Sequence, residues 1–165
     1  MADTPPPTGP QPTAAGPVPA LQSVAHYVKD LSFENLNAPQ SLMQTRETPS
    51  IQVSANLEAR GMAQDMYEVE LSLTVTASRQ QDRVFVVEVV YGGLFRIAGQ
   101  NGEQLRETCL VECPRLLFPF ARRVIADATR DGGFPPLMLD PIDFLTLYKA
   151  QLAQQKAQSA AQPSA

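Results

Sequence analysis

The sequence has little of the chemistry from which enzyme active sites are built. Tryptophan is absent, histidine occurs once, at His26, and the two cysteines are Cys109 and Cys113. Catalysis by acid–base or nucleophilic routes needs a nucleophile beside a base, or paired carboxylates in a pocket, and candidates for either are few. Cys109 and Cys113 have no further Cys or His nearby in sequence to complete a tetrahedral metal site, so buried structural thiols are the favoured interpretation. We expect no enzymatic activity, no metal and no cofactor.

Long apolar segments are missing as well. The longest uninterrupted apolar run, residues 116–121, contains Pro119 and is far shorter than the ~20 residues that a membrane-spanning helix needs. The first basic residue is Lys29, and no apolar stretch typical of a secretory signal accompanies it. The two cysteines form no disulfide framework, which favours a reducing compartment. We predict a cytoplasmic protein that does not insert into a membrane.

Basic residues are outnumbered by acidic ones. The chain has 17 acidic and 13 basic residues and a net charge of -4. This balance has the wrong sign for general nucleic-acid binding, which depends on neutralisation of phosphates by Lys and Arg. A partner that recognises the chain through charge should therefore carry a basic patch.

Both ends of the chain have compositions that do not favour a packed core. Residues 1–24 are rich in proline and alanine, and we predict that they form a disordered arm. Residues 153–165 are rich in alanine and glutamine and are predicted to form a flexible tail. Residues 25–152 remain as one small folded domain, for which self-association would be unsurprising.

Alternation of apolar and polar residues predicts the strands of this domain. They are expected at residues 27–34, 51–58, 67–78 and 83–91. The short turn at residues 79–82 favours an antiparallel hairpin between the third and fourth strands. Gly92 and Gly93 interrupt the fourth strand pattern, and they indicate a bulge or a close backbone approach.

Two helices are predicted after the strands. Apolar residues recur at helical spacing from Leu116 to Ala128, with a start near Pro114, or at Leu116 or later because of Pro119. Glycines after residue 131 end this helix. Asp140 is the expected N-cap of the second helix, whose buried stripe would comprise Phe144, Leu145, Tyr148 and Leu152. Strands followed by helices predict an α+β fold, with an antiparallel sheet and helices against one face.

Two surfaces could bind partners. Residues 116–120 and 134–139 hold more apolar side chains than a small core needs, so they form either ordinary packing and subunit contacts or a recognition groove. In the first strand, Tyr27, Lys29, Leu31 and Phe33 are predicted to share one face. The opposite, polar face of the sheet would carry Asp30, Glu34, Glu68, Glu70 and Glu88. That face is either simply solvated or a docking site for a basic partner.

The order and spacing of several motifs resemble the SecB family of bacterial protein-export chaperones. The matching segments are YVKDLSFEN at 27–35, NAP at 37–39, YEV at 67–69, LTVTAS at 73–78, EV at 88–89, GGLF at 92–95, IAG at 97–99, CP at 113–114, LFPFAR at 117–122 and GFPPLMLDPIDF at 133–144. Together they cover about residues 27–152. In combination these motifs are highly specific.

The resemblance implies a homotetramer, a dimer of dimers, in which each subunit has a four-stranded antiparallel sheet followed by two helices on one face. Such proteins bind unfolded precursor polypeptides without nucleotide and deliver them to the SecA motor ATPase. The residues implied for SecA docking are Asp30, Glu34, Val86 and Glu88. The residues implied for the client groove are Phe33, Phe95, Phe118, Phe134 and Leu137.

Two other functions stay open at this point. The chain could be an adaptor or assembly factor that docks one folded partner on its acidic sheet face. It could also be a small-molecule enzyme that depends on His26, although the lack of a nucleophile–base pair opposes this hypothesis.

Overall fold

An antiparallel sheet of four strands forms the framework of the computed structural model, which describes residues 20–43 and 47–161. The strands are β1 (Leu21–Asn35), β2 (Ser50–Ala63), β3 (Met66–Arg79) and β4 (Asp82–Ile97), and they lie in the order β1-β4-β3-β2. Consecutive strands β2, β3 and β4 pair as neighbours, whereas β1 crosses over to pair with β4. The predicted four-stranded antiparallel sheet is confirmed.

Helices follow the sheet along the chain. A one-turn helix, α1 (Gln40–Met43), lies between β1 and β2; after β4 come α2 (Gly102–Glu107), α3 (Cys113–Asp131) and α4 (Phe144–Ala161). A π-helical segment, Thr108–Glu112, joins α2 to α3 without a break. None of the helices in the described part of the chain is both long and apolar enough to span a bilayer.

The core lies between β3, β4 and α3. Alternation in β3 buries Val69, Leu71, Leu73 and Val75 completely on the face that α3 covers. Leu117 and Ile125 of α3 pack into the same cluster. Within the described residues, no helix packs against the opposite face of the sheet, which is called the open face below; the face that α3 covers is called the helix face.

The helix boundaries differ from those predicted. Helical structure begins at Gly102 and runs through Pro119, because burial of the apolar stripe of α3 outweighs the one backbone hydrogen bond that a proline removes. The last helix begins at Phe144 rather than after Asp140. Asp143 is its cap, since one carboxylate oxygen accepts the Thr146 N–H at 3.1 Å and the other accepts the Thr146 hydroxyl at 2.7 Å.

A β-bulge at Lys29 corrects the predicted faces of β1. The register with β4 shifts between Val28 and Asp30, which leaves Lys29 as an extra residue. Because one extra residue exchanges the two faces of a strand, Tyr27 and Lys29 lie on the open face and not with Leu31. His26, opposite Gly93, lies on the helix face.

Gly92 and Gly93 do not break β4; they lie where side chains approach the backbone. A Cβ at Gly92 would lie 2.7 Å from the ring of Tyr27, and one at Gly93 would lie 2.7 Å from the Leu117 side chain. The close approach that the sequence indicated is therefore present on both faces of the sheet.

The boundaries of the folded domain also differ from those predicted. β1 begins at Leu21, so residues 21–24 belong to a strand and not to the proposed arm, while residues 1–19 lie outside the described residues. At the other end, α4 continues to Ala161 through most of the tail predicted at 153–165. Alanine and glutamine are good helix formers, which accounts for the extension. Residues 162–165 lie outside the described residues.

Candidate functional site

An apolar cleft of about 410 Å³ opens beside the loop that links α3 to α4. One wall comprises α1 and the chain that enters β2, and the other comprises residues 133–137. The side chains that give the cleft its apolar character are Leu42, Ile51, Phe85, Phe134, Pro136 and Leu137. An opening of this size and lining suits apolar side chains of a ligand.

Two aromatic rings, Phe85 and Phe134, line the apolar cleft, whereas Phe33 packs against both of them without lining it. The centroid of Phe85 lies 4.8 Å from that of Phe134 and 5.6 Å from that of Phe33. Phe85 is buried, whereas Phe33 and Phe134 are only partly buried. Phe134 is therefore the ring of this cluster that keeps surface in the cleft for a ligand to cover.

Thr129 fixes the loop that carries Phe134 and Leu137. Its hydroxyl, fully buried in α3, accepts the Leu137 N–H at 2.9 Å and lies 3.0 Å from the carbonyl oxygen of Ile125. The Phe134 N–H donates to the Thr129 carbonyl at 3.1 Å. The loop is thus held to the end of α3 at two points, and these bonds orient both apolar side chains toward the cleft.

Two of the five predicted groove residues are core residues in this chain. Phe95 is completely buried, and Phe118 is 7% exposed and packs edge-on against Phe144, with ring centroids 6.0 Å apart. Neither lines the apolar cleft. The sequence shows that these positions are apolar, but only packing decides whether an apolar side chain closes a core or lines an opening.

Asp30, Glu34 and Glu88 form an acidic surface on the open face. Across β1 and β4, Glu34 lies opposite Val86, and Ser32, between the two β1 carboxylates, lies opposite Glu88. All three acidic side chains are exposed, and none has an ion-pair partner within the described residues. This surface is a concentration of uncompensated negative charge beside the partly buried Val86.

Glu68 and Glu70, which the sequence placed with those carboxylates, are neutralised instead. Lys29 pairs with Glu70 and lies 3.5 Å from Glu68. Arg60 pairs with Glu68 and lies 3.7 Å from Glu70, and the Tyr27 hydroxyl donates to Glu68. The prediction of one acidic face with five carboxylates is corrected: two of them lie in a compensated cluster. Both cationic partners come from other strands, so sequence spacing did not reveal them.

The hydrogen bond between Tyr27 and Glu68 shifts the pKa values of both side chains. Donation of this hydrogen bond raises the pKa of Tyr27 to about 12 from its ordinary value of 10.0, and it lowers the pKa of Glu68. A raised tyrosine pKa gives stability that is complete below about pH 10 and is lost as the pH rises through about 12. The lowered Glu68 pKa gives stability that is present above its ordinary value of 4.5 and is lost at lower pH.

Tyr27→Phe is therefore expected to reduce the loss of stability between pH 10 and pH 12, because it removes the hydroxyl whose pKa is raised to about 12. The measurement is the free energy of unfolding in urea at both pH values for the wild type and the variant. Tyr67→Phe, on the opposite face of the sheet, controls for general loss of a phenol. An equal decrease in the free energy of unfolding between pH 10 and pH 12 in the wild type and both variants would contradict the prediction.

His26 packs into an aromatic group on the helix face. Its Nδ1 atom lies 3.0 Å from the Tyr91 hydroxyl, and its ring centroid lies 4.3 Å from that of Phe120. Both cysteines are buried, and burial raises the pKa of Cys109 to about 11. No group of three or more His, Cys, Asp or Glu side chains in the described ranges is arranged to hold a metal ion.

These features define an α+β binding domain with an apolar, aromatic-floored cleft and a separate acidic surface. Residues 14–155 match the family model described as preprotein translocase subunit SecB. The chain is 50% identical over 151 residues to the protein-export protein SecB of Maricaulis maris, covering 92% of this chain and 88% of that protein. It is 48% identical over 148 residues to the protein of the same name from a Bradyrhizobium species, covering 90% and 91% of the two chains.

The chain therefore belongs to the SecB family of protein-export chaperones. The predicted family membership is confirmed. A solved structure, the Mycobacterium tuberculosis Rv1957 SecB-like chaperone in complex with a peptide from the HigA1 antitoxin, has the same fold. The TM-score is 0.65 at 17% identity, over 74% of this chain and 91% of that one. This likeness confirms the predicted fold class.

Proposed function

We propose that this protein is an ATP-independent export chaperone that binds unfolded precursors in the cytoplasm, keeps them competent for translocation and delivers them to SecA. The observation that carries the proposal is the apolar cleft, in which Phe134 and Leu137 are presented by a loop that is hydrogen-bonded to Thr129. A folded protein buries most side chains that could enter such a cleft, whereas an unfolded chain offers them. The M. tuberculosis chaperone of the same fold was solved with a peptide, which is in keeping with a polypeptide ligand.

Energetics favour capture of clients before they fold. A ligand in hundredfold excess over its dissociation constant shifts a folding equilibrium by about 2.7 kcal/mol. Typical domains are stable by about 5–15 kcal/mol, so binding of this strength rarely unfolds one. The chaperone therefore works by kinetic competition with folding.

The acidic surface is the proposed docking site for SecA. Asp30, Glu34 and Glu88 are uncompensated within the described residues, so a basic partner surface would gain attraction without first breaking ion pairs. Val86 lies among them as an apolar contact. The acidic surface and the apolar cleft are separate, which would let one chain hold a client and a motor together.

Assembly into a homotetramer, a dimer of dimers, is part of the proposal. Val28 and Leu31 lie on the helix face of β1, yet each is 45% exposed because α3 covers only part of this edge of the sheet. Leu116 and Phe120 of α3 are 47% and 40% exposed nearby, where Phe120 contacts His26. An apolar surface of this kind on a small domain is typical of a subunit contact. Several clefts on one tetramer would bind a long client with greater avidity than one cleft.

The acidic surface also supports a second candidate, an adaptor that docks one folded partner there. The two functions differ in client breadth. An adaptor would bind the native form of one protein, whereas a chaperone would bind denatured forms of several proteins and their native forms poorly.

Size measurement by light scattering tests assembly and client preference together. We expect a mass of about 72 kDa, four chains of 18.0 kDa, in the absence of client. Several denatured precursors should each add their mass to this species, and the same proteins in native form should not. A sample that binds no denatured protein would contradict the chaperone function, and one that binds a single native protein would favour the adaptor.

A further inference from the structure

Arg79, at the end of β3, donates hydrogen bonds to the backbone at both ends of one wall of the apolar cleft. Its Nε atom donates to the carbonyl oxygen of Glu47 at 2.9 Å, and its Nη1 atom donates to the carbonyl oxygen of Ser41 at 3.0 Å. Ser41 lies in α1, and Glu47 lies in the chain that leads to β2. Both residues, and Arg79 itself, line the cleft.

We propose that Arg79 is a positioning residue that sets the shape of the client cleft and so determines how well large apolar side chains fit it. This inference deepens the proposed chaperone function and rests on it. Arg79 acts through the backbone of the wall, which carries Leu42 on the side of the cleft opposite Phe134.

The other described hydrogen bonds of this wall lie in its first part or at the start of β2, where the Ser50 hydroxyl donates to the Ser78 carbonyl at 3.1 Å. The Ser41 hydroxyl donates to Asn35 at 2.7 Å, and the Ser41 N–H donates to the Asn37 carbonyl at 2.7 Å. These bonds attach α1 to the end of β1 but do not reach Glu47. Among the described side chains, Arg79 is the one whose hydrogen bonds join α1 to the chain that enters β2 and attach both to the β3–β4 hairpin.

An arginine is suited to this role because its planar guanidinium presents donors in fixed directions and can serve two carbonyl groups at once. A lysine would offer one compact ammonium group, which cannot hold the same two bonds in fixed geometry. Without the guanidinium, the wall would have to be ordered when a client binds, and that ordering entropy would weaken binding. Preorganisation is therefore the physical basis of the expected effect.

The opposite wall is already fixed by Thr129, so the two walls depend on different groups. Leu42 contacts the far side, where a Cβ built on Gly133 would lie 3.1 Å from its side chain. A shift of α1 would thus change the distance between Leu42 and the opposite wall of the cleft. Large apolar side chains should be affected more than small ones, since they fill the space between the walls.

The test compares Arg79→Ala and Arg79→Lys with Arg83→Ala, which removes a positive charge from the same hairpin at a position that does not line the cleft. Two fluorescent peptides serve as probes: one rich in Phe and Leu, and one with those residues replaced by Ala. Dissociation constants are measured by anisotropy, and hydrogen exchange is followed at residues 41–43 and 47–49.

We expect Arg79→Ala to bind the Phe/Leu peptide about tenfold more weakly, with little change for the Ala peptide and faster exchange in the wall. Arg79→Lys should recover only part of this loss, and methylguanidinium should partly restore binding to Arg79→Ala. Arg83→Ala should match the wild type.

Unchanged affinity and unchanged exchange in Arg79→Ala would overturn the inference while the chaperone function stands. Equal weakening in Arg79→Ala and Arg83→Ala would also overturn it, because charge and not wall position would then be responsible. A wild-type protein that binds neither peptide would overturn the proposed function itself and the inference with it.

Discussion

Replacing Phe134 and Leu137 together, as Phe134→Ser with Leu137→Ser, is expected to weaken binding of denatured precursors by roughly a hundredfold. Both side chains line the apolar cleft and are only partly buried, so their loss removes contact area for the client. The loop itself should keep its position, because its bonds to Thr129 use backbone groups of these residues. Affinity for several denatured proteins, measured by calorimetry, gives the result.

Met138→Ser is the matched control for this variant. Met138 follows Leu137 directly and is 61% exposed, yet it does not line the apolar cleft. We expect its affinity for clients to stay within about twofold of the wild type, as for most surface substitutions. Client binding that survives the double replacement, or is lost equally in Met138→Ser, would show that the cleft is not the client site.

Glu88→Lys is expected to weaken binding to SecA by tenfold or more while leaving client affinity unchanged. The substitution reverses one of three charges that have no ion-pair partner in the described part of the chain, and it places a cation beside Asp30 and Glu34. Because Glu88 is exposed on the open face and the cleft lies elsewhere, folding and client binding should be retained. Binding of purified SecA is measured by interferometry at low and high salt, and the wild-type affinity should fall more steeply with salt than that of the variant.

Glu103→Lys provides the same charge reversal away from the acidic surface. Glu103 is an exposed residue in the first turn of α2. If both reversals weakened SecA binding equally, net charge and not the acidic surface would be responsible. If neither did, the proposed docking site would be wrong.

The double replacement of Phe134 and Leu137, together with Glu88→Lys, also distinguishes the chaperone function from the adaptor function. A carrier with two independent surfaces should lose client binding but keep SecA binding in Phe134→Ser with Leu137→Ser. In Glu88→Lys it should lose SecA binding but keep client binding. An adaptor that docks its partner on the acidic surface would be insensitive to Phe134 and Leu137.

Much of the fold was predictable because it depends on local patterns. The alternation in β3 predicted the buried residues Leu71 and Leu73, and a groove was one of two interpretations of the apolar residues around Phe134, where the cleft lies. The exposed carboxylates Asp30, Glu34 and Glu88 lie on one face as expected. Periodicity determines which side chains of a regular strand share a face, and that information is complete in the sequence.

The remaining features depend on contacts between distant segments. A bulge at Lys29, set by pairing with β4, turned Tyr27 to the open face, where it meets Glu68 and where Arg60 of β2 completes the cluster. Phe95 was assigned to a surface but lies in the core. Arg79 was counted as part of a turn, although its two bonds hold a wall of the cleft.

By itself, the sequence determined the family, the order of the four strands and the two long helices along the chain, and the chemical character of the two candidate binding surfaces. Only the tertiary structure decided which carboxylates are free, which aromatic rings are accessible and which residue holds the cleft in shape. The physical reason is that composition and periodicity describe each segment alone. Charge compensation, burial and hydrogen bonding depend on what other segments bring within a few ångströms.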